Sequence, residues 1–407
     1  MHRPWAIVTG ARSATLSFAA VDFDFSTDQR ELRDAAVELL ERLAGPAEVR
    51  AFVGPGPSSD GEHPAVGVDQ ADTGGFDRRL WDAMAEQGWL GVARSEEVGG
   101  LGLGMVEVAV LCEELGRRAA PAPFAATVVC LDALDRAAGD DSLPAAERGL
   151  AAEWAERMTG GTAIGCVVWS GGPGGLTARI DGDRWRLTGR PEPTHYASVA
   201  DLALVVTGDA LYAMPIDEGT RPSPEPAMDR TRPVAWVRLE DALAHRIGGD
   251  DSAARSIDQA ATASAADMLG ASSRALEMST EYAKVRRQFG HPIGSFQAVK
   301  HRLADTLVDV EGMRSSTYHA AWCVAADHPD RSLAASMAKA WCSDASRRVM
   351  ASGLQVHGGI GFTWDHDLHL LLKRAQLDAS SFGDAHWHRD RIAGLLSGRL
   401  AEGISPF

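Results

Sequence analysis

From Ser26 onward, apolar side chains recur every three or four residues. TDQRELRDAAVELLERLA follows a Ser–Thr–Asp cap signal and carries Leu32, Ala36, Leu39, Leu40 and Leu43 at helical spacing. The same texture returns in RRLWDAMAEQGW and in MVEVAVLCEELGRRA, with the glycine-rich turn VGGLGLG between them. VGPGPSSDGEHPAVGVDQADTGG, rich in Gly, Pro and Asp, predicts a long loop. Between Gly161 and Arg246 the period shortens. TAIGCVVWS, TARID, RWRLTG, DLALVVTG, ALYAMPI and VAWVRLE are short, rich in β-branched residues and punctuated by GGPGG and DGD. Beyond Asp250 the helical spacing resumes, first in an Ala-rich stretch from Ser256 to Val285, then through Phe296, Val299, Leu303, Leu307 and Val310. The order predicts an α+β multidomain chain: a disordered extension over 1–21, a helical domain over 22–155, an antiparallel β-barrel or sandwich over 156–250, and a helical bundle over 251–407.

Composition narrows the function classes. The chain has 407 residues, 45% hydrophobic, with 56 acidic against 40 basic residues and a net charge of −16. An acidic balance argues against nucleic acid or anionic lipid as a partner. No apolar run reaches membrane-spanning length. The five cysteines are scattered, with no CxxC pair, and a reducing cytoplasm is the expected setting.

Two segments carry candidate chemistry. In EYAKVRRQFGHPIGSFQAVKHRLADT, Arg286, Arg287, Gln288 and Phe289 sit at a Gly–Pro corner between helices. A guanidinium there can hold a phosphate and an aromatic can cover a flat ring; the same residues also suit a solvated basic helix end. In SGLQVHGGIGFTWDHDLHLLLKRAQ, Gly358, Gly359 and Gly361 permit close backbone approach to a ligand, although glycine pairs more often mark turns. His366, Asp367 and His369 lack a metal-ligand spacing, so no metal is expected.

Together the two segments resemble the acyl-CoA dehydrogenase family, whose paired motifs read RxxFG-xPIGxFQAVKH-xLAD and QxxGGxGF. LWDAMAEQGWLGVARSEEVGGLGLGMVEVAVLCEELGR is similar to the family's N-terminal helical region. The resemblance implies the helix, β and helix block order, bound FAD, an acyl-CoA thioester substrate and an oligomer. Arg286, Gln288 and Phe289 would grip the diphosphate and adenosine of FAD, while Gln355, Gly358 and Gly359 would reach the FAD of a neighbouring subunit. The implied reaction is α,β-desaturation: a carboxylate takes the α-proton and the β-hydrogen leaves as hydride to the flavin. Electron-transfer flavoprotein would be the acceptor.

Two departures from the family pattern bear on activity. Counted from Gln355, the usual catalytic glutamate falls on Phe382, and the alternative location, counted back from Arg286, falls on Ala260. Asp267 lies two turns further along the same predicted helix face and is the expected base, with Asp384 as runner-up. In the β region, Trp169 and Ser170 stand where a flavin-contacting Thr–Glu pair is expected. Two functions therefore stay open. One is an FAD-dependent dehydrogenase of a branched or steroid-like acyl-CoA, using Asp267. The other is a largely non-catalytic partner in an α2β2 complex with another acyl-CoA dehydrogenase-like subunit.

Overall fold

The computed structural model describes residues 25–54, 75–171, 175–182 and 184–403. The extension expected over 1–21 and most of the long glycine-rich loop lie outside them. Helices come first: α1 (Thr27–Leu43), α2 (Pro46–Val53), α3 (Arg78–Glu86), α4 (Met105–Arg117), α5 (Phe124–Ala138) and α6 (Ala145–Thr159). The cap signal at Ser26 forms a capping box, its hydroxyl accepting from the Gln29 amide while the Gln29 side chain accepts from the Ser26 amide. Trp81, Trp89 and Phe124 are fully enclosed and anchor this unit.

The strands follow: β1 (Gly165–Val168), β2 (Leu176–Asp181), β3 (Arg184–Gly189), β4 (Thr194–His195), β5 (Leu202–Val206), β6 (Leu211–Pro215), β7 (Val234–Ala235) and β8 (Leu239–Gly248). Six of them form one sheet in the order β1-β5-β6-β8-β3-β2, and β4 pairs with β7 apart from it. The sheet is mixed rather than wholly antiparallel, because β1 and β5 run parallel. The β2–β3 hairpin crosses to the far edge, so the chain returns beside β1 in the same direction. Every residue of β5 is buried and no side stays polar, as expected for a strand covered on both faces.

The bundle begins with α7 (Asp250–Val285), a single helix of 36 residues that starts six positions before the Ala-rich stretch at Ser256. A small hairpin of β9 (Arg287–Gln288) and β10 (His291–Pro292) leads into α8 (Gln297–Ala325), α9 (Arg331–His357), α10 (Leu368–Ser380) and α11 (Ala385–Ala401). Small residues let α7 pack closely on its neighbours. A Cβ on Gly116 of α4 would stand 2.1 Å from the Asp267 carbonyl, and one on Gly270 would stand 1.8 Å from the Glu113 carbonyl. The two helices therefore touch backbone to backbone. Among the described residues no helix is long and apolar enough to cross a membrane. All five cysteines are buried and free.

Candidate functional site

Where α4, α5, α7, α10 and the β4 region converge, a cavity of about 50 Å³ is lined by Cys112, Tyr196, Asp267, Arg374, Asp378 and Phe382. Small-molecule pockets run to roughly 300–1,000 Å³, so this space is well below that range. Its walls are knitted by charge. Arg374 donates from Nε to Asp267 Oδ1 at 2.8 Å and from Nη2 to Oδ2 at 2.7 Å. Its Nη1 donates to the Ala120 carbonyl at 3.0 Å and to Thr231 Oγ1 at 3.1 Å. Arg232 makes a second fork, from Nη1 and Nη2 to Asp378 at 2.7 and 3.1 Å, and its Nε donates to Asp229 at 3.0 Å. These five side chains join the N-terminal helices, the β region and the bundle in one buried network.

That pairing decides the chemistry of Asp267. Burial alone would raise its carboxyl, but the Arg374 guanidinium outweighs this, with Arg232 behind it, and holds it below the ordinary carboxylate range. A general base for an α-proton works best with a raised pKa and a carboxylate not already clamped by a cation. Asp267 has both oxygens engaged and its pKa lowered. Asp378 is pushed the other way, up to about 7, by burial, with Arg232 only partly offsetting it. Both its oxygens also face Arg232. Asp384 is the N-cap of α11, its Oδ1 accepting from the Trp387 amide at 2.9 Å, and that bond lowers its pKa.

Phe382 occupies the turn between α10 and α11 with φ of 54°, followed by Gly383 at 92°. A Cβ on Gly383 would meet the Trp387 ring at 2.5 Å, so only glycine fits. Two buried side chains fasten this turn. His388 Nε2 donates to the Phe382 carbonyl at 3.0 Å, and Lys339 Nζ donates to the Gly383 carbonyl at 2.7 Å. Lys339 is 0% exposed and burial lowers its pKa to about 8. Trp169 stands edge-on to Trp387 with ring centroids 5.1 Å apart. His195 Nε2 donates to Ser381 Oγ at 3.0 Å, and that hydroxyl donates onward to the Leu377 carbonyl at 2.8 Å, so the pair is a relay of fixed bonds and not a nucleophile with its base.

The opposite behaviour appears at the far end of the bundle. The two sequence motifs meet there: Tyr282 of α7 stacks on His357 of α9 at 4.6 Å, Gly358 follows directly, and the Arg286 amide donates to the Tyr282 carbonyl. Arg286, Gln288, Gln355, Gly358 and Gly359 are all exposed. Phe289 sits at φ of 53° beside Gly290 at 79°, the pair of positive angles that a two-residue hairpin requires, and its ring is 89% exposed. A bulky residue held at positive φ and presented to solvent is costly unless something covers it. Space around Gly358 and Gly359 is open, since a Cβ on either would meet nothing within 4 Å. Phe362, Ile360, Phe296, Leu307 and Val308 are further exposed apolar side chains on these segments and on α8.

The two regions therefore differ. The exposed corner presents donors, an aromatic ring and glycines with open space, whereas the interior cavity is small and walled by paired charges. Sequence reasoning missed Asp229, Arg232, Arg374, Asp378, Lys339 and His388; the spacing of Arg374 and Asp378 on one predicted helix face was the available signal.

Two family models match the chain: "Acyl-CoA dehydrogenase, N-terminal domain" over 62–142 and "Acyl-CoA dehydrogenase, C-terminal domain" over 248–396. Acyl-CoA dehydrogenase IpdE2 of Mycobacterium tuberculosis is 33% identical, over 86% of this chain and 91% of the relative. Acyl-CoA dehydrogenase FadE27 of the same organism is 32% identical, over 79% of this chain and 89% of its own length. Among solved structures, a chain of the ChsE4-ChsE5 complex from Mycobacterium tuberculosis superposes with a TM-score of 0.80 at 29% identity, covering 92% of this chain and 99% of the other. A chain of a variant of the Tcur3481-Tcur3483 steroid ACAD does so with a TM-score of 0.78 at 29% identity, covering 92% and 99%.

Proposed function

Since this chain belongs to the acyl-CoA dehydrogenase family, whose members are FAD-binding oxidoreductases, we propose that it is a cofactor-completing subunit of a heteromeric acyl-CoA dehydrogenase. In this reading it lends Arg286, Gln288, Phe289, Gln355, Gly358 and Gly359 to the diphosphate and adenosine of an FAD. The flavin ring of that FAD lies in a homologous partner subunit, which also supplies the base. The observation that carries the reading is the charge-paired interior: Asp267, the expected base, is locked to Arg374, Asp378 to Arg232, and the cavity between them is only about 50 Å³. Likeness to a chain of the ChsE4-ChsE5 complex supports a two-gene assembly.

When bound, FAD would accept the hydride from the acyl β-carbon. The residues of this chain orient its adenosine end and exclude water there. Apolar side chains left exposed at Phe296, Leu307, Val308, Ile360 and Phe362 are the surface on which the partner would sit. The acyl group proposed for the complex is a bulky or steroid-like thioester, with electron-transfer flavoprotein as acceptor and the cytoplasm as setting. The competing reading, a self-sufficient enzyme with Asp267 as base, needs Arg374 to release that carboxylate and the cavity to open.

The test is to purify the chain alone and co-expressed with a homologous subunit that retains the catalytic glutamate. FAD per chain and acyl-CoA-dependent dye reduction are then measured in each. The expected result is no flavin and no turnover for the lone chain, and both for the complex. A lone chain that retains FAD and reduces dye would end the proposal.

A further inference from the structure

The corner that presents Arg286 and Gly358 also holds a loop outside both sequence motifs. Residues 363–367 are pinned from the N-terminal helices by Arg50 of α2. Its Nε donates to Asp367 Oδ1 at 2.6 Å, its Nη1 to the Trp364 carbonyl at 3.0 Å and its Nη2 to the Asp365 carbonyl at 3.1 Å. Three bonds from one guanidinium make this a fixed platform.

Within it, His366 has a spare donor. Its Nδ1 accepts the Leu368 amide proton at 3.2 Å, so the proton of the neutral ring must sit on Nε2. No described residue accepts from that Nε2–H. Burial, with the neighbouring His357 behind it, lowers the pKa of the ring and so favours its neutral form. His357 cannot play the same part. Its Nδ1 is committed to the Gly353 carbonyl at 2.8 Å, and its Nε2 is enclosed.

The rings also fix where His366 lies. It packs on His357 at 4.4 Å, and His357 stacks on Tyr282 at 4.6 Å. Tyr282 stands one turn before Arg286, and Gly358 is the next residue after His357. A continuous row of three rings in contact, the first pair stacked and the second tilted, thus runs from the Arg286 corner, past the open glycines, to His366.

We propose that His366 is a further cofactor-binding residue, its Nε2–H donating to an acceptor in the adenosine monophosphate half of the dinucleotide gripped at this corner. The inference rests on the reading of the chain as a cofactor-completing subunit. Neither motif contains His366, and its role is to select a dinucleotide over a mononucleotide.

The test uses the co-purified complex stripped of flavin. Affinities for FAD and for FMN, which lacks the adenosine monophosphate, are measured by flavin fluorescence for wild type, H366F, H366Q and R286A. Gln places an amide nitrogen near the position of the lost Nε2. The expected result is about a tenfold loss of FAD affinity in H366F, the value of one hydrogen bond to a charged or strongly polar acceptor. H366Q recovers most of it, and FMN binding is unchanged in both. Loss of FAD affinity in R286A with none in H366F would overturn the role of His366 and leave the cofactor-completing reading standing. No change in either variant would overturn both. Equal losses of FAD and FMN in H366F would also count against the inference, because the effect would then not lie in the adenosine half.

Discussion

The interior cavity and the exposed corner of the bundle contain similar residue types and use them in opposite ways. Inside, Arg232 and Arg374 are saturated by Asp229, Asp267, Asp378 and two backbone carbonyls. Outside, Arg286 and Gln288 are exposed beside an uncovered phenylalanine and glycines with free space. An arginine is a ligand-binding group only if the fold leaves its donors unspent. The comparison separates arginines whose donors are spent within the chain from one left exposed.

The largest effect should come from breaking the interior. Asp267→Asn leaves the buried Arg374 without its counter-charge, a loss of about 3–5 kcal/mol. Urea unfolding of the lone chain should show this, and dye reduction by the surviving complex should be unchanged. Abolished turnover with an unaltered unfolding midpoint would instead make Asp267 the base. At the corner, Arg286→Ala should weaken FAD binding to the complex by about thirtyfold, equivalent to roughly 2 kcal/mol for a charge-assisted bond. Stability of the lone chain should not move, and a calorimetric titration decides it. Between the two regions, Gly383→Ala forces a Cβ into the Trp387 ring at positive φ and should cost about 2 kcal/mol. An unchanged melting temperature would mean that the turn is looser than described. The smallest effect is the most diagnostic. Phe382→Glu places a carboxylate at the position the family usually gives its base, yet on the proposed function the lone chain should gain no turnover, because the flavin ring would be held by the partner subunit. Any acyl-CoA-dependent reduction by that variant would break the comparison outright.

The block order and the family were legible in the chain itself, because periodicity and the motifs at Arg286–Phe289 and Gln355–Gly359 are local signals. Each depends on a few consecutive residues. The interior was not legible, for a physical reason. Asp267 stands on the expected helix face, but its partner Arg374 is 107 residues away, and face periodicity says nothing about what an element packs against. Arg232 and Asp229 come from a loop in the β region with no regular pattern. The parallel β1–β5 pair likewise depends on how a hairpin crosses the sheet, which alternation along a strand does not encode.

The glycines at the crossing of α4 and α7 bear on how this chain could change. With Gly116 and Gly270 in backbone contact, no side chain stands at that crossing to be trimmed. Widening that seam requires a whole helix to shift, and with it the packing of every neighbour. Among the described residues, the aromatic wall of Trp169, Phe382 and Trp387 is a boundary of the interior that side-chain trimming can move. A selection for lone-chain activity should recover its first substitutions there and leave the glycine crossing untouched.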